Sequence, residues 1–409
     1  MSSGAGLVSA AANARGDLAA VVSTGPRHAV LVTAPAGGAF GPPQDINPGG
    51  LADTAAVGLG PDGALVVAYY DGVSRALVRR GAIGAALGAP QALAQVRNRP
   101  DFSVAIDDAG TATVAFGRSL GRDGIGVAVA RARSGAPFGA PVTLDRGPNA
   151  QVPQVAAAGS TTAVTWLSLT ARERVRVVVA RDAGRFGRPQ TPATGRFELR
   201  GEAGRVPSEA GVPTVAVDRA GDVLLAYPYG PFNAVHETLL RAGSKRFVAP
   251  RILSALGHGG VPAAALTDDR RPIVAWADGE GVFAATGLGR PVFTRAPDVT
   301  LSRPSVAELR RTGAVTVTAR CAPRCEIVAN ARLTTGRGGP GLVISRQARP
   351  PQVIAANAPL RLRFALTPAG RTALQATGRA QVKVIVTAAN VSGSARTARQ
   401  AFDVGRRSR

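Results

Sequence analysis

Two short runs of apolar residues flank a tight turn within residues 212–227. The runs 214–218 and 222–227 are rich in Val, Leu and Ala, and Asp-Arg-Ala-Gly separates them. Runs of this length are too short for helices, and the turn residues between them indicate a β-hairpin. Gly221 can adopt the positive φ that such a turn requires, and an Asp at the start of the turn can accept hydrogen bonds from its own downstream backbone.

The same hairpin recurs along residues 7–296 at intervals of about 47–62 residues. Its turn glycines are Gly16, Gly63, Gly110, Gly159 and Gly221. A degenerate copy of the turn, Asp-Asp-Arg-Arg, follows at residues 268–271 and lacks the glycine. A second marker, Phe138-Gly-Ala-Pro141 in the third copy, recurs later in each unit with Phe or Leu first, and a third strand lies between the two markers. About four strands in each unit of this length predict an all-β fold, a β-propeller of about six blades, with seven as the alternative.

An aromatic residue ends the second strand in five of the six copies, at Tyr69, Phe116, Trp166, Tyr227 and Trp276. These aromatic residues could form a ring around a ligand. Their fixed place in the repeat favours the other interpretation, in which they pack between neighbouring blades.

If the strands of a blade are labelled A to D from the axis outward, the B–C and D–A loops lie on one face of the propeller. The polar insertion 190–211 is a predicted D–A loop on that face. Long loops on a rigid scaffold are frequent sites of function. The candidate ligand-binding residues are those in or beside B–C loops that the repeat does not require: Tyr70, Asp71, Tyr229, Phe232 and His236.

From residue 297 the pattern changes to six or seven alternating strands, with one short helical turn within 367–376. Alternation in 360–364 places Leu and Phe inward and Arg outward. The sequence therefore predicts a second domain, an immunoglobulin-like β-sandwich over residues 297–405, after the propeller at 7–296.

The net charge of +23 is concentrated in this second domain, since residues 300–409 hold 19 of the 49 basic residues and 3 of the 26 acidic ones. A basic surface favours a polyanion partner such as an acidic polysaccharide. Nucleic-acid readers usually add aromatic residues for stacking, and this segment has only Phe364 and Phe402, so sequence-specific nucleic-acid binding is not expected. No run of 18 apolar residues predicts a membrane span.

The two cysteines, Cys321 and Cys325, flank a Pro-containing turn. A disulfide is the main interpretation and would indicate an oxidising compartment. Two reduced cysteines are the alternative, and a zinc site would need two more ligands, whereas all three histidines lie in the first domain. We expect a secreted or cell-wall-associated protein, although residues 1–6 show no export signal and the chain starts abruptly inside the first unit.

No nucleophile elbow, zinc-protease motif or phosphate-binding loop is present, and no cofactor is indicated. Carboxylates from different blades could still form a glycoside-cleaving pair. The carboxylates expected on the loop face are Asp71, Asp123, Glu209 and Asp278.

The hairpin turns at 107–111 and 218–222, each followed by a strand that ends in an aromatic residue, resemble the repeats of Asp-box, sialidase-like propellers of secreted bacterial type. The resemblance covers about residues 7–296. Unlike that pattern, the chain lacks the Ser or Thr two residues before the Asp, and its Asp-to-Gly spacing is longer. No catalytic residue of a sialidase falls on a matching position. The C-terminal region is similar to small sandwich modules with a Cys-x-x-x-Cys loop.

Together these patterns favour a binding protein over an enzyme. The propeller would offer a loop face, and the basic sandwich would hold an anionic surface. A sialidase-like glycoside hydrolase is the alternative. The two differ in whether carboxylates and a tyrosine converge in one concave pocket on the loop face.

Overall fold

A computed structural model describes most of the chain between residues 6 and 405. The residues within this range that it does not describe are 26, 49, 53, 97–98, 121–123, 147–149, 170–172, 183, 193–199, 202–203, 206–211, 230–233, 255–260, 279–280, 288–289, 292–297, 304, 323–324, 335–341, 347–351, 355–356, 378 and 390–394.

Blades 1 to 3 are antiparallel sheets of four strands each, in sequence order. Blade 1 contains β1 (Gly6–Ala12), β2 (Leu18–Gly25), β3 (His28–Ala34) and β4 (Gln44–Asp45). Blade 2 contains β5 (Ala55–Leu59), β6 (Ala64–Tyr70), β7 (Arg75–Ala82) and β8 (Gln91–Gln95). Blade 3 contains β9 (Phe102–Ile106), β10 (Ala112–Ser119), β11 (Ile125–Ala132) and β12 (Val142–Asp145).

Blades 4 to 6 follow the same plan with shorter or missing outer strands. Blade 4 contains β13 (Ala150–Ala158), β14 (Thr161–Leu169) and β15 (Glu173–Arg181), and a two-stranded ribbon follows as β16 (Arg200–Gly201) and β17 (Gly204–Arg205). Blade 5 contains β18 (Thr214–Val217), β19 (Val223–Tyr229), β20 (Ala234–Leu240) and β21 (Arg251–Ile252). Blade 6 contains β22 (Pro262–Leu266), β23 (Pro272–Asp278) and β24 (Gly281–Thr286).

Each blade packs on the next through an apolar core to which both sheets contribute. The aromatic residue at the end of strand B always enters the core shared with the preceding blade: Tyr69 packs with blade 1, Phe116 with blade 2, Trp166 with blade 3, Tyr227 with blade 4 and Trp276 with blade 5. The prediction that these residues pack between blades is confirmed. The β-propeller architecture is confirmed with them.

The A–B turns follow the predicted chemistry. The Asp107 carboxylate accepts hydrogen bonds from the backbone N–H groups of Ala109 at 3.1 Å and Thr111 at 2.7 Å. Gly110 and Gly221 have φ of 75° and 85°, which glycine adopts without steric cost. The turns of blades 3 and 5 meet in an ion pair of 3.1 Å between Asp108 and Arg219, so the row of blades curves on this face.

The Phe-Gly-x-Pro marker has a contact that the sequence did not reveal. The guanidinium of Arg80, in blade 2, lies 4.8 Å from the ring centre of Phe138, in blade 3. Arg131, in blade 3, lies 5.5 Å from the ring centre of Phe186 after blade 4. Cation–π contacts of this kind join the C strand of one blade to the marker of the next.

The end of the repeat departs from the expected pattern. After blade 6 the strand β25 (Arg290–Pro291) pairs with β21 of blade 5 rather than with β24. Pro291 has no N–H to donate to this ladder. Val282 on β24 is 83% exposed, and no extensive packing joins blade 6 to blade 1 among the described residues. Closure of the ring and the number of blades stay predictions.

The C-terminal region is built from two sheets that share one apolar core. We call the first the arginine sheet; it contains β26 (Asp298–Leu301), β27 (Ala314–Ala322) and β31 (Leu360–Ala365). The second sheet contains β28 (Cys325–Thr334), β29 (Leu342–Arg346), β30 (Gln352–Ile354), β32 (Arg379–Ala389) and β33 (Ala395–Gly405). The expected alternation is confirmed, since Leu362 and Phe364 are buried and Arg361 and Arg363 are exposed.

Two helices accompany these sheets, α1 (Val306–Thr312) and α2 (Pro368–Thr377). The sequence predicted α2 as a short turn and missed α1. Ser305 caps α1 by accepting a hydrogen bond from the N–H of Glu308. Cys321 and Cys325 form a disulfide, as expected. The immunoglobulin-like assignment stays a prediction. In the described part of the chain, neither helix has the length and apolar character that a membrane crossing requires.

Candidate functional site

Tyr70 and Asp71, two of the predicted ligand-binding residues, lie together in the B–C hairpin of blade 2, where both are enclosed. The Tyr70 hydroxyl donates a hydrogen bond of 2.8 Å to the carbonyl of Val73. Asp71 Oδ1 accepts three backbone N–H groups at 2.9–3.0 Å, and its Oδ2 accepts Arg75 Nε at 2.8 Å. These hydrogen bonds outweigh burial and lower the pKa of Asp71 to about 2. The carboxylate therefore holds the turn in shape.

His236 lies within β20 rather than in a loop, and it is 2% exposed. Its ring stacks on Tyr227 with the centres 6.0 Å apart, and its Nδ1 is 2.8 Å from the carbonyl oxygen of Ala234. Phe232 lies outside the described residues, as does the side chain of Tyr229, whose backbone belongs to β19. A ligand-binding role for all five residues stays a prediction.

Among the four carboxylates expected on the loop face, only Asp71 has a described side chain. Asp123 and Glu209 lie outside the described residues, and of Asp278 only the backbone, in β23, is described. In the described part of the chain, no group of three His, Cys, Asp or Glu side chains is placed to hold a metal ion.

A pocket of about 220 Å³ opens on the predicted loop face, between blades 3 and 4. Three segments line this junction pocket. The D–A connection before β9 supplies Arg99, Pro100 and Asp101; the flanks of the B–C hairpin of blade 3 supply Gly117, Ser119 and Ile125; and the start of β13 supplies Ala150, Gln151 and Val152. The repeat positions them, because D–A and B–C connections meet on one side of each blade junction.

The wall formed by β13 contains a strained backbone. Val152 has φ of +51°, a conformation that a β-branched residue rarely adopts. The register between β13 and β14 shifts between Gln151 and Gln154, so a β-bulge places Val152 and Pro153 outside regular pairing. Strain of this kind costs on the order of 1–3 kcal/mol and clusters at binding and active sites. Val152 lines the junction pocket at this bulge.

Asp101 is the carboxylate of this pocket, and it accepts a hydrogen bond from the backbone N–H of Val152. Although Asp101 is exposed overall, partial loss of water around its carboxylate at the blade junction raises its pKa, and the Val152 N–H together with nearby Arg99 offsets only part of that rise. A carboxylate whose charge is incompletely compensated in a cleft is a candidate for ligand binding.

A filled core lies beneath the pocket. Trp166 is fully buried there, and its indole Nε1 donates a hydrogen bond of 2.7 Å to the Asp145 carboxylate at the end of β12. The Thr54 hydroxyl donates a hydrogen bond of 2.9 Å to the carbonyl of Pro100 and so ties the D–A connection to blade 2. The pocket is therefore a gap in the loop layer above a packed interface.

The sequence did not predict this pocket, because its repeat pattern favoured the B–C loops and the longest D–A loop as sites of function. The segment Arg99-Pro100-Asp101 belongs to a short D–A connection with two charges. Pro153 was a second signal, since a proline inside a strand pattern indicates an edge or a bulge.

No family model and no curated protein matches the chain. Among solved structures, the chain is similar to a protein of unknown function from Dyadobacter fermentans DSM 18053, with 15% identity and a TM-score of 0.44 over 68% of this chain and 92% of that one. A neuraminidase-like protein from A/bat/Guatemala/164/2009 has 9% identity and a TM-score of 0.45 over 70% and 88%. SapL1 lectin in complex with alpha methyl fucoside has 12% identity and a TM-score of 0.40 over 70% and 97%. Likeness at this level does not indicate what this chain binds.

Proposed function

We propose that this protein binds a small saccharide in the junction pocket and that it is a binding protein rather than a glycosidase. The observation that carries the proposal is the placement of Asp101, with its raised pKa, against the strained backbone of Val152 on the loop face. The pocket volume lies below the roughly 300–1,000 Å³ of sites for drug-sized ligands, so its occupant is about one sugar ring.

The chemistry of the lining suits a sugar. A carboxylate, a guanidinium, a hydroxyl and an amide line the pocket at Asp101, Arg99, Ser119 and Gln151. Sugar hydroxyls both donate and accept hydrogen bonds, so they can use acceptors such as Asp101 and donors such as Arg99. Ile125 and Val152 add apolar surface for the C–H groups of the ring.

The glycosidase alternative requires two carboxyl groups, about 5–5.5 Å apart for retention or about 6.5–9.5 Å apart for inversion. Asp101 is the single carboxylate among the described residues that line the junction pocket, and no tyrosine lines it. Asp71 is held by its own turn and by Arg75, which removes it as a partner. These features favour binding over cleavage.

Two units, residues 7–296 and 297–405, would bind a saccharide and an anionic surface respectively. The disulfide between Cys321 and Cys325 supports a secreted or cell-wall-associated protein, because such bonds persist mainly in oxidising compartments.

The test is a glycan array probed with the full chain, followed by calorimetric titration of the saccharide it retains most strongly. Asp101→Asn should weaken binding at least tenfold, because the substitution replaces an ionised acceptor with a neutral amide. Asp108→Asn is the matched control. It likewise removes one carboxylate charge, but from an exposed ion pair with Arg219 of blade 5, in an A–B turn on the opposite face, and it should leave Kd unchanged.

Retention of no saccharide would overturn the proposal, and so would an equal loss in the two variants. Fluorogenic aryl glycosides complete the experiment. Turnover of such a substrate by the wild-type chain, abolished in Asp101→Asn, would favour the glycosidase instead.

A further inference from the structure

The outer face of the arginine sheet presents a regular array of Arg and Thr side chains. On β31, Arg361 and Arg363 point outward and lie two residues apart, or about 7 Å along the strand. Their partners across the ladder are Thr318 and Thr316 of β27. Arg320, also exposed, continues the row of outward residues on β27 opposite Thr300 of β26.

Few acidic groups balance these charges. Neither Arg361 nor Arg363 forms an ion pair with a described residue. Among the acidic groups near the array, the Glu308 carboxylate accepts a hydrogen bond of 2.7 Å from the Thr316 hydroxyl. The Asp298 carboxylate, at the far end of β26, pairs with Arg396. Glu308 thus lies beside Arg363, but among these described residues the three exposed arginines Arg361, Arg363 and Arg320 outnumber it, so the array keeps a net positive charge.

The outer face of the second sheet differs, because its centre is covered. Asn330 on β28 and Ile385 on β32 are cross-strand partners that are 3% and 0% exposed, and Thr387 on the same side of β32 is 3% exposed. Of the two outer faces, the arginine sheet is thus the one whose centre is open along described strands.

We propose that the outer face of the arginine sheet binds a linear anionic polysaccharide, with Arg361 and Arg363 as paired contacts for successive charges and the Thr318 hydroxyl beside Arg361 as a donor to its oxygens. This inference deepens the proposed function, since it assigns the anionic-surface contact to one sheet face. Charge complementarity supports a polyanion. The face has no exposed aromatic side chain among its described residues, because Phe364 of β31 points into the core, so it offers no platform for stacking bases.

The experiment measures salt-dependent retention of the full chain on immobilised dextran sulfate, with neutral dextran as the background. Each ionic contact contributes roughly 0.7–0.9 to the slope of log affinity against log salt in comparable polyelectrolytes. Arg361→Ala combined with Arg363→Ala should therefore lower the slope by about 1.5. Arg303→Ala combined with Arg311→Ala removes the same charge at exposed positions outside β26, β27 and β31, and it should lower the slope by less than half as much.

Three outcomes would overturn the proposal. They are wild-type retention no stronger on dextran sulfate than on neutral dextran, equal losses in the two double variants, and tighter binding to a dT20 oligonucleotide than to dextran sulfate of equal charge. The last would indicate a nucleic-acid surface. Arg361→Lys with Arg363→Lys keeps both charges and should restore most of the retention, which separates charge from folding.

The two proposals fail separately. Asp101→Asn should retain normal binding to dextran sulfate, and the Arg361→Ala, Arg363→Ala variant should retain normal binding to the saccharide from the array. Loss of saccharide binding in the arginine variant would show that the two surfaces are not independent.

Discussion

The hairpin of blade 2 and the junction of blades 3 and 4 each place an aspartate on the same face of the propeller, with opposite consequences. Asp71 accepts three backbone N–H groups and Arg75, and its pKa falls to about 2. Asp101 stays exposed and accepts a backbone N–H from the strained residue Val152, and partial loss of water around its carboxylate at the blade junction raises its pKa. The first carboxylate is fully used by its own turn, whereas the second has bonding capacity left for a ligand.

The difference shows that position on a face does not assign a role. Both residues belong to loops that could carry function. What separates them is how many hydrogen bonds the local backbone already directs at the carboxylate, and that number depends on loop geometry.

The largest expected effect on stability concerns the buried aromatic residues that lie beneath the two regions. Tyr69 lies under the blade 2 hairpin and Trp166 under the junction pocket, and both are fully buried. Replacing either with Ala should lower the free energy of unfolding by about 3–5 kcal/mol, because each leaves a large cavity. Urea denaturation measures this. A small loss for Trp166→Ala alone would mean that the pocket region is loosely packed throughout.

The next effect separates the two carboxylates. Asp71→Ala should lower the free energy of unfolding by about 2–3 kcal/mol, because it leaves three turn N–H groups and the Arg75 guanidinium without their acceptor. Asp101→Ala should change it by less than about 0.5 kcal/mol. Denaturation of the two variants side by side tests this difference. Equal losses of unfolding free energy would contradict the different roles assigned to Asp71 and Asp101.

Acid should affect the two sites with opposite signs. The pKa of Asp71 in the folded state, about 2, lies below its ordinary value of 3.8. Its stabilisation, roughly 2 kcal/mol, is therefore complete above about pH 4 and is lost as the pH falls through 2. The pKa of Asp101 is raised, so its ionisation opposes folding at neutral pH, and that cost disappears in acid.

Denaturation between pH 7 and pH 2 checks these signs. Asp71→Asn should flatten the acid loss relative to the wild type. Asp222 keeps part of that loss in the variant, because its pKa is also lowered to about 2, by hydrogen bonds from Arg270, Ala242 and Arg241 that outweigh burial. Asp101→Asn should not flatten the acid loss. A flatter profile in Asp101→Asn would contradict the assigned direction.

The smallest effect concerns backbone strain. Val152→Gly should raise the free energy of unfolding by up to about 1 kcal/mol, since glycine tolerates a positive φ. It should also weaken saccharide binding, because the pocket wall becomes less rigid. Val73→Gly in the blade 2 hairpin is the control, since its φ is not positive, and it should lower stability by about 0.5–1 kcal/mol. The two substitutions should therefore differ in sign.

The sequence predicted the features that depend on period and turn chemistry. The positions of Tyr69, Phe116 and Trp166 between blades followed from their fixed place in the repeat, and the burial of Leu362 and Phe364 followed from alternation. Such patterns survive because a shift of one residue would expose an entire apolar face.

The candidate site was less predictable, for two physical reasons. Asp71 and Asp101 look alike in sequence, and only the fold shows how many N–H groups reach each carboxylate. The conformation of Val152 depends on pairing between β13 and β14, where one extra residue forms the bulge. Helix α1 was missed because its seven residues are too few for a periodic pattern, although Ser305 and Glu308 are a recognisable start signal.

Hydrogen–deuterium exchange of the full chain, with and without the saccharide that the array retains most strongly, tests the assignment of the junction pocket directly. Slower exchange is expected at residues 99–101, 117–119 and 150–152, with no change at residues 71–75. Protection confined to residues 71–75, or to blades away from the junction of blades 3 and 4, would contradict the assignment.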